Sequence, residues 1–174
     1  MKPDRKDEYL AFQSKLIRRA CVNAITSAAV VVGLYLFVWK QRIIAPGETF
    51  SFWNAVRGAD QETAYKNGYV LSDGRLQLLP GGGLCQISSF LYWLFLHTPL
   101  TITEQHTHGI DLHLNMPGIP QGIDAAVAEG WLDLKVKNNT AHTFQLLVAV
   151  DSHNMSGTVL SDTRLRLVCQ KQIS

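Results

Sequence analysis

Charge is scarce in this 174-residue chain, where only 17% of the residues are Asp, Glu, Lys or Arg. Cysteine is scarcer still. Its three copies are an odd number, which argues against a small domain stapled only by disulfides. No Gly-rich loop ending in Lys-Ser/Thr occurs, and no His-Glu-x-x-His, so two familiar phosphate and zinc motifs are absent. Internal repeats and low-complexity linkers are missing as well. A basic surplus is also lacking over most of the chain: after residue 42, eight Lys/Arg stand against eleven Asp/Glu. That balance argues against a dedicated nucleic-acid binder. What remains is 47% hydrophobic residues and 9% aromatics, enough for one domain with a real core.

The first 42 residues reverse the charge balance, with eight Lys/Arg against three Asp/Glu. Within them, the run from Ala20 to Trp39 has no charge at all. As a helix it would be about 30 Å long, the thickness of a bilayer core. Tyr35 and Trp39 fall where an interfacial aromatic belt would want them. Lys2, Arg5, Lys6, Lys15, Arg18 and Arg19 precede the run, and only Lys40 and Arg42 follow closely. The positive-inside bias therefore predicts a basic cytoplasmic N-terminus at 1–19 and a single-pass membrane anchor at 20–39. A domain helix of unusual apolarity is the competing reading.

The expected exported domain runs from 43 to 160, followed by an unassigned tail at 161–174. Thr49 to Trp53 alternates as a half-buried strand, and Ser72-Asp73-Gly74-Arg75 marks a hairpin between Tyr69–Leu71 and Leu76–Leu79. Leu84 to His97 is uncharged but too short to span a membrane, and Thr98-Pro99 stops it, so it reads as a buried central helix. Trp131 to Lys137 alternates, Asn138-Asn139-Thr140 turns, and Thr143 to Val150 returns, which predicts an antiparallel hairpin. The fold class is α+β: a central helix carrying Cys85 at its N-terminus, packed on antiparallel strands and preceded by the hydrophobic transmembrane helix.

Cys85 is the candidate nucleophile. A helix N-terminus favours the thiolate through unpaired N–H groups and the positive end of the dipole. The preceding Gly81-Gly82-Gly83 lets a substrate backbone approach closely. The Gly82–Gly83 backbone and the Gln86 side chain are candidate oxyanion donors. The competing reading is a buried structural cysteine. A thiolate also needs a base and an orienting group. His106 and His108 lie two apart, on one face of an extended strand, and Asp111, Glu104 or Asp124 could hold the second ring nitrogen. Of the two histidines His108 is the stronger candidate for the base, and Asp111 is the nearest orienter in sequence. Cys85, His106, His108, Asp111 and His113 form a weaker zinc alternative, without a second cysteine nearby. Cys21 and Cys169 have no histidine close in sequence and read as bystanders.

Pro46-Gly-Glu-Thr-Phe-Ser-Phe52, Asn67-Gly-Tyr69, Gly81-Gly-Gly-Leu-Cys-Gln-Ile-Ser88 and Glu104-x-His-x-His108 follow one another in order. With Gly122-Ile-Asp-Ala-Ala126 and Leu132-Asp-Leu-Lys-Val-Lys-Asn138, the stretch from Pro46 to Val150 resembles the VanW family. These are bacterial proteins named after an accessory gene of glycopeptide-resistance clusters. The resemblance implies an extracytoplasmic envelope domain and, for some members, L,D-transpeptidase activity on peptidoglycan with the cysteine as nucleophile. That residue is Cys85 here, and the family's His-x-His pair falls on His106 and His108. Thr107 and Gly109 replace the usual proline and serine, and Gln105 stands where an arginine is common.

The expectation is therefore a membrane-anchored cysteine acyltransferase of the L,D-transpeptidase type, acting on peptidoglycan stem peptides without cofactor or metal. A non-catalytic peptide-binding envelope module and a zinc hydrolase are the alternatives. The oligomeric state is not legible.

Overall fold

The computed structural model describes residues 15–23, 42–57, 67–72, 75–80, 82–108, 120, 122–150 and 154–163. Among the described residues, nine strands and two helices follow one another: β1 (Lys15–Asn23), β2 (Arg42–Ile44), β3 (Thr49–Ser51), α1 (Phe52–Val56), β4 (Asn67–Ser72) and β5 (Arg75–Pro80) come first. Then come α2 (Leu84–Phe95), β6 (Thr101–Glu104), β7 (Lys135–Lys137), β8 (Phe144–Val150) and β9 (Asn154–Ser161). They build three antiparallel sheets, ordered β1-β9-β8-β2, β3-β7-β6 and β4-β5. The protein is α+β, as its sequence predicts.

Helix α2 is the expected central helix. Every residue from Gln86 to Phe95 is buried, which suits a segment apolar apart from Gln86, Ser88 and Ser89. Its start is set by Gly83, whose φ of 100° lies in the left-handed region open chiefly to glycine. Its end is closed by Thr98, whose hydroxyl donates to the Phe95 carbonyl at 2.7 Å ahead of Pro99. Phe95 meets Phe50 of β3 with ring centroids 5.1 Å apart, so the helix is tied to the small sheet.

The β4–β5 hairpin forms in the expected register, with Ser72 opposite Arg75 across a two-residue connection. The expected strand over 49–53 stops at Ser51. There the side chain turns to capping, accepting from the Asn54 N–H at 3.2 Å and donating to Asp133 Oδ2 at 2.6 Å, and α1 begins.

The hairpin expected over 131–150 does not form. β7 pairs with β3 and β6, whereas β8 pairs with β2 and β9 in another sheet. Asn138 is the reason. Its buried side chain donates to the carbonyls of Ile44 and His142, and its Oδ1 accepts from the Thr140 N–H. Its backbone meanwhile bonds Gly47 and Glu48. The turn thus hands the chain from one sheet to the next.

At the N-terminus the structure differs from the expectation over four residues. Ala20 to Asn23, read as the start of a transmembrane helix, form the end of β1, paired with Asn154 to Gly157 of β9. Alternation in a short apolar stretch serves a strand as well as a helix, and β9 offers an edge to pair with. β1 and β2 belong to one sheet, so both ends of the intervening 24–41 are fixed to the same body. The rest of the expected anchor lies outside the described residues, and among these no helix is long and apolar enough to cross a membrane.

Helix α2 comes close to Gly157 of β9. A Cβ there would run into Leu94 Cδ1 and stand 2.8 Å from the Phe90 ring, both fully buried side chains with no room to retreat. Gly157→Ala should therefore cost about 1–3 kcal/mol through overpacking, read as a lower urea midpoint with an unchanged slope. A midpoint within error of wild type would show that α2 can shift away from β9.

Candidate active site

Cys85 occupies the second position of α2, half-buried, where the sequence predicts it. The first bond of the helix runs from the Gln86 N–H to the Gly83 carbonyl at 3.0 Å. The N–H groups of Leu84 and Cys85 therefore have no partner within the helix and lend its N-terminus positive character. The Cys85 thiol donates to the Val127 carbonyl at 3.7 Å.

The histidine pair does not sit on one regular strand. β6 ends at Glu104, and residues 105–108 continue as irregular chain held against 124–126, with the Ala126 N–H donating to the His106 carbonyl at 2.7 Å. The two rings take different partners. His108 Nδ1 lies 2.8 and 2.9 Å from the two Asp124 carboxylate oxygens, and the His108 N–H donates to Oδ2 at 2.7 Å. His106 Nε2 lies 3.2 Å from Glu104 Oε1. The His108 side chain is 16% exposed against 38% for His106, so His108 is the sheltered member of the pair.

Of the carboxylates considered from sequence, Asp124 orients His108. Asp111 was the nearer candidate in sequence and lies outside the described residues, as do Gly81 and His113. Asp124 is sixteen residues from His108 and was distinguishable only by the fold. The hydrogen bond to Asp124 is the main reason that the His108 pKa is pushed up to about 10, and the nearby Cys85 side chain adds to it. Burial opposes the rise without cancelling it. Burial likewise pushes the Asp124 carboxyl up, but the His108 ring, the His108 N–H, the imidazolium charge and the Ser89 hydroxyl together bring it below its ordinary value. A carboxylate-held imidazole thus lies close enough to Cys85 for the cysteine to raise its pKa, an arrangement able to hold a proton beside the sulfur and return it.

His106 belongs to a second cluster. Glu104 accepts from Lys135 Nζ at 2.6 Å and from the Asp133 N–H at 2.9 Å as well as pairing with His106. The Lys135 bond is the main cause of the lowered Glu104 pKa. This cluster is more exposed and its carboxylate is already neutralised by a lysine. Gln86 is buried, and its Oε1 has no hydrogen-bond partner among the described residues. Gly82 is buried at the mouth of the helix, next to Gly83. Among the described residues no three His, Cys, Asp or Glu side chains converge to hold a metal, which leaves the zinc alternative without a ligand set there.

Sequence reasoning passed over Ser88 and Ser89. Two consecutive hydroxyls in an otherwise apolar buried helix were the available signal. Ser88 Oγ donates to the Ala125 carbonyl, and Ser89 Oγ accepts from the Ala125 N–H at 2.9 Å, so both fasten the segment that bears Asp124.

The raised His108 pKa has a consequence for stability. A folded protein that keeps this proton up to about pH 10, while the unfolded chain releases it near 6.5, is stabilised fully below pH 6.5. The contribution is lost as pH rises from there towards 10. Asp124→Asn should bring the His108 titration, followed by ring-proton NMR, back towards 6.5 and flatten the fall in urea midpoint over that range. A wild-type His108 titrating near 6.5 would refute the assignment.

The VanW like protein family profile matches residues 38–160. The chain is 46% identical over 122 residues to the vancomycin B-type resistance protein VanW of Enterococcus faecalis, an overlap covering 69% of this chain and 44% of that protein. It is 32% identical over 96 residues to the uncharacterized protein YoaR of Bacillus subtilis, covering 55% of this chain and 30% of YoaR. The matched region thus spans less than half the length of these curated relatives. No solved structure is significantly similar. The family profile covers well over half of the chain, so the chain belongs to the VanW family.

Proposed function

We propose that this protein is a cysteine-dependent acyltransferase of the L,D-transpeptidase type, acting on peptidoglycan stem peptides outside the cytoplasm. The observation that carries the reading is the Asp124-held His108 imidazole close to Cys85 at the N-terminus of a buried helix. A thiol used only for packing has no need of an imidazole held protonated by a carboxylate. The relation to a vancomycin resistance protein supports a cell-wall substrate.

In this mechanism the Cys85 thiolate attacks the carbonyl carbon between the third residue and D-Ala of a stem peptide. The negative charge that develops on oxygen faces the Leu84 and Cys85 N–H groups and the positive end of the α2 dipole. The C–N bond breaks, the His108 imidazolium gives its proton to the departing D-Ala amine, and a thioester remains on Cys85. An amine from a neighbouring stem then attacks the thioester and passes a proton to the now neutral His108. Sulfur leaves as thiolate, so both groups return to their starting state. Asp124 stays ionised throughout and stabilises the imidazolium. No cofactor enters the sequence of steps.

Cys85→Ser keeps the volume and removes the thiolate. Acyl transfer should fall by a factor on the order of 10³ or more, with a stability change of about 1 kcal/mol or less. Incubating wild type with muropeptides should add an acyl mass to the peptide containing Cys85. Comparable turnover in Cys85→Ser would end the cysteine mechanism, and a thiol inert to small electrophiles at neutral pH would favour a binding module instead. Location is tested separately. A reporter fused after Ser174 should be active only outside the cytoplasm, and a soluble cytoplasmic product would remove the peptidoglycan substrate.

A further inference from the structure

Asp124 is gripped by two side chains that the acyl-transfer steps do not use. From α2, the Ser89 hydroxyl donates to Asp124 Oδ1 at 3.4 Å and accepts from the neighbouring Ala125 N–H at 2.9 Å. From the chain after β6, Gln105 Nε2 donates to the Asp124 backbone carbonyl at 2.6 Å. Ser89 is completely buried and Gln105 half-buried. The two bonds come from opposite partners of the Asp124 segment, one from the helix that carries Cys85 and one from the chain that carries His108. Together they fix where the carboxylate stands against the imidazole.

The chemistry of the two side chains matters as much as their reach. Both are uncharged, so neither competes with His108 for the carboxylate charge, as an arginine or lysine in their place would. The Asp124 oxygens accept from the His108 ring and N–H, and a carboxylate retains lone pairs for a further weak donor such as Ser89. Gln105 holds the backbone instead and leaves the carboxylate untouched. We propose that Ser89 and Gln105 are positioning residues that act through Asp124, holding its carboxylate in line with His108 so that the ring stays fixed beside Cys85. This deepens the acyl-transfer reading and rests on it.

The test is Gln105→Ala and Ser89→Ala in the full-length protein, with three readouts: NMR titration of the His108 ring, the rate of Cys85 alkylation by iodoacetamide between pH 6 and 9, and steady-state acyl transfer. Ser89→Ala leaves the Ala125 N–H buried without an acceptor, so Gln105→Ala, on a half-buried side chain, decides the matter if the serine variant does not fold. In each folded variant the His108 pKa should drop by about one unit, the alkylation profile should shift with it, and kcat should fall by a factor on the order of 10–100 with KM unchanged. An unshifted His108 and an unchanged kcat in folded Gln105→Ala overturn the proposal. A wild-type His108 titrating at its ordinary value beside an unreactive Cys85 overturns both this proposal and the acyl-transfer reading. A reactive Cys85 and raised His108 without turnover on stem peptides removes the substrate assignment alone, and the His108 shift in Gln105→Ala still decides the role of the two residues.

Discussion

A helix buried on all sides must be enclosed by chain drawn from distant parts of the sequence, and that requirement governs α2. Its buried face from Gln86 to Phe95 is covered by side chains of β2, β3, β7, β8 and β9 within one core. Gly157 lets β9 come against Leu94 and Phe90 more closely than any side chain would permit. Burial of this many large apolar side chains is the dominant favourable contribution to folding, at roughly 25 cal/mol per Å² of apolar surface. Once α2 is fixed, so is Cys85, because the helix begins one residue before it.

The polar groups on α2 explain how the enclosing chain is held in register. Fully buried hydroxyls are costly unless paired, and Ser88 and Ser89 are both paired with the 124–125 segment. The cost of burying them thereby becomes a positional constraint. The segment lies along the first turns of α2, bringing Asp124 to His108 and the Val127 carbonyl to Cys85. Packing supplies the energy here, and hydrogen bonds supply the geometry.

Two carboxylate–histidine pairs lie along the same stretch of chain, and their surroundings give them different roles. Glu104 shares its charge among Lys135, the Asp133 N–H and the exposed His106. It joins β6 to β7 and to the Ser51–Asp133 cap of α1. Exposed pairs of this kind contribute little stability but fix local geometry. Asp124 has no lysine among its described partners. Its charge is spent on His108 in a site with little solvent, where a charge–charge interaction is worth more. This difference separates a structural pair from one suited to moving a proton.

Much of this protein was legible in its sequence. The uncharged run from Leu84, the glycines before it and the Thr98-Pro99 stop determine a buried helix with a cysteine at its head, because local signals at both ends agree with apolarity between them. Asp73-Gly74 determines a two-residue hairpin for the same reason: the turn is a property of its own residues. His108 was picked out as a histidine needing a carboxylate partner by the chemistry a thiolate requires. Other features depended on contacts that sequence distance hides. Alternation along 131–136 and 143–150 specified strands, but only the side-chain bonds of Asn138 to Ile44 and His142 decided that they enter different sheets. An apolar stretch beginning at Ala20 suits a bilayer helix or a strand, and the edge of β9 decided in favour of a strand for its first four residues. Asp124 reaches His108 because Ser88, Ser89 and Gln105 carry its backbone to the imidazole. Local propensity and turn chemistry act between near neighbours and can be read in order along the chain. Partner choice among strands and carboxylates is settled by which groups the burial of α2 brings within hydrogen-bonding distance, and that is set only when the chain has folded.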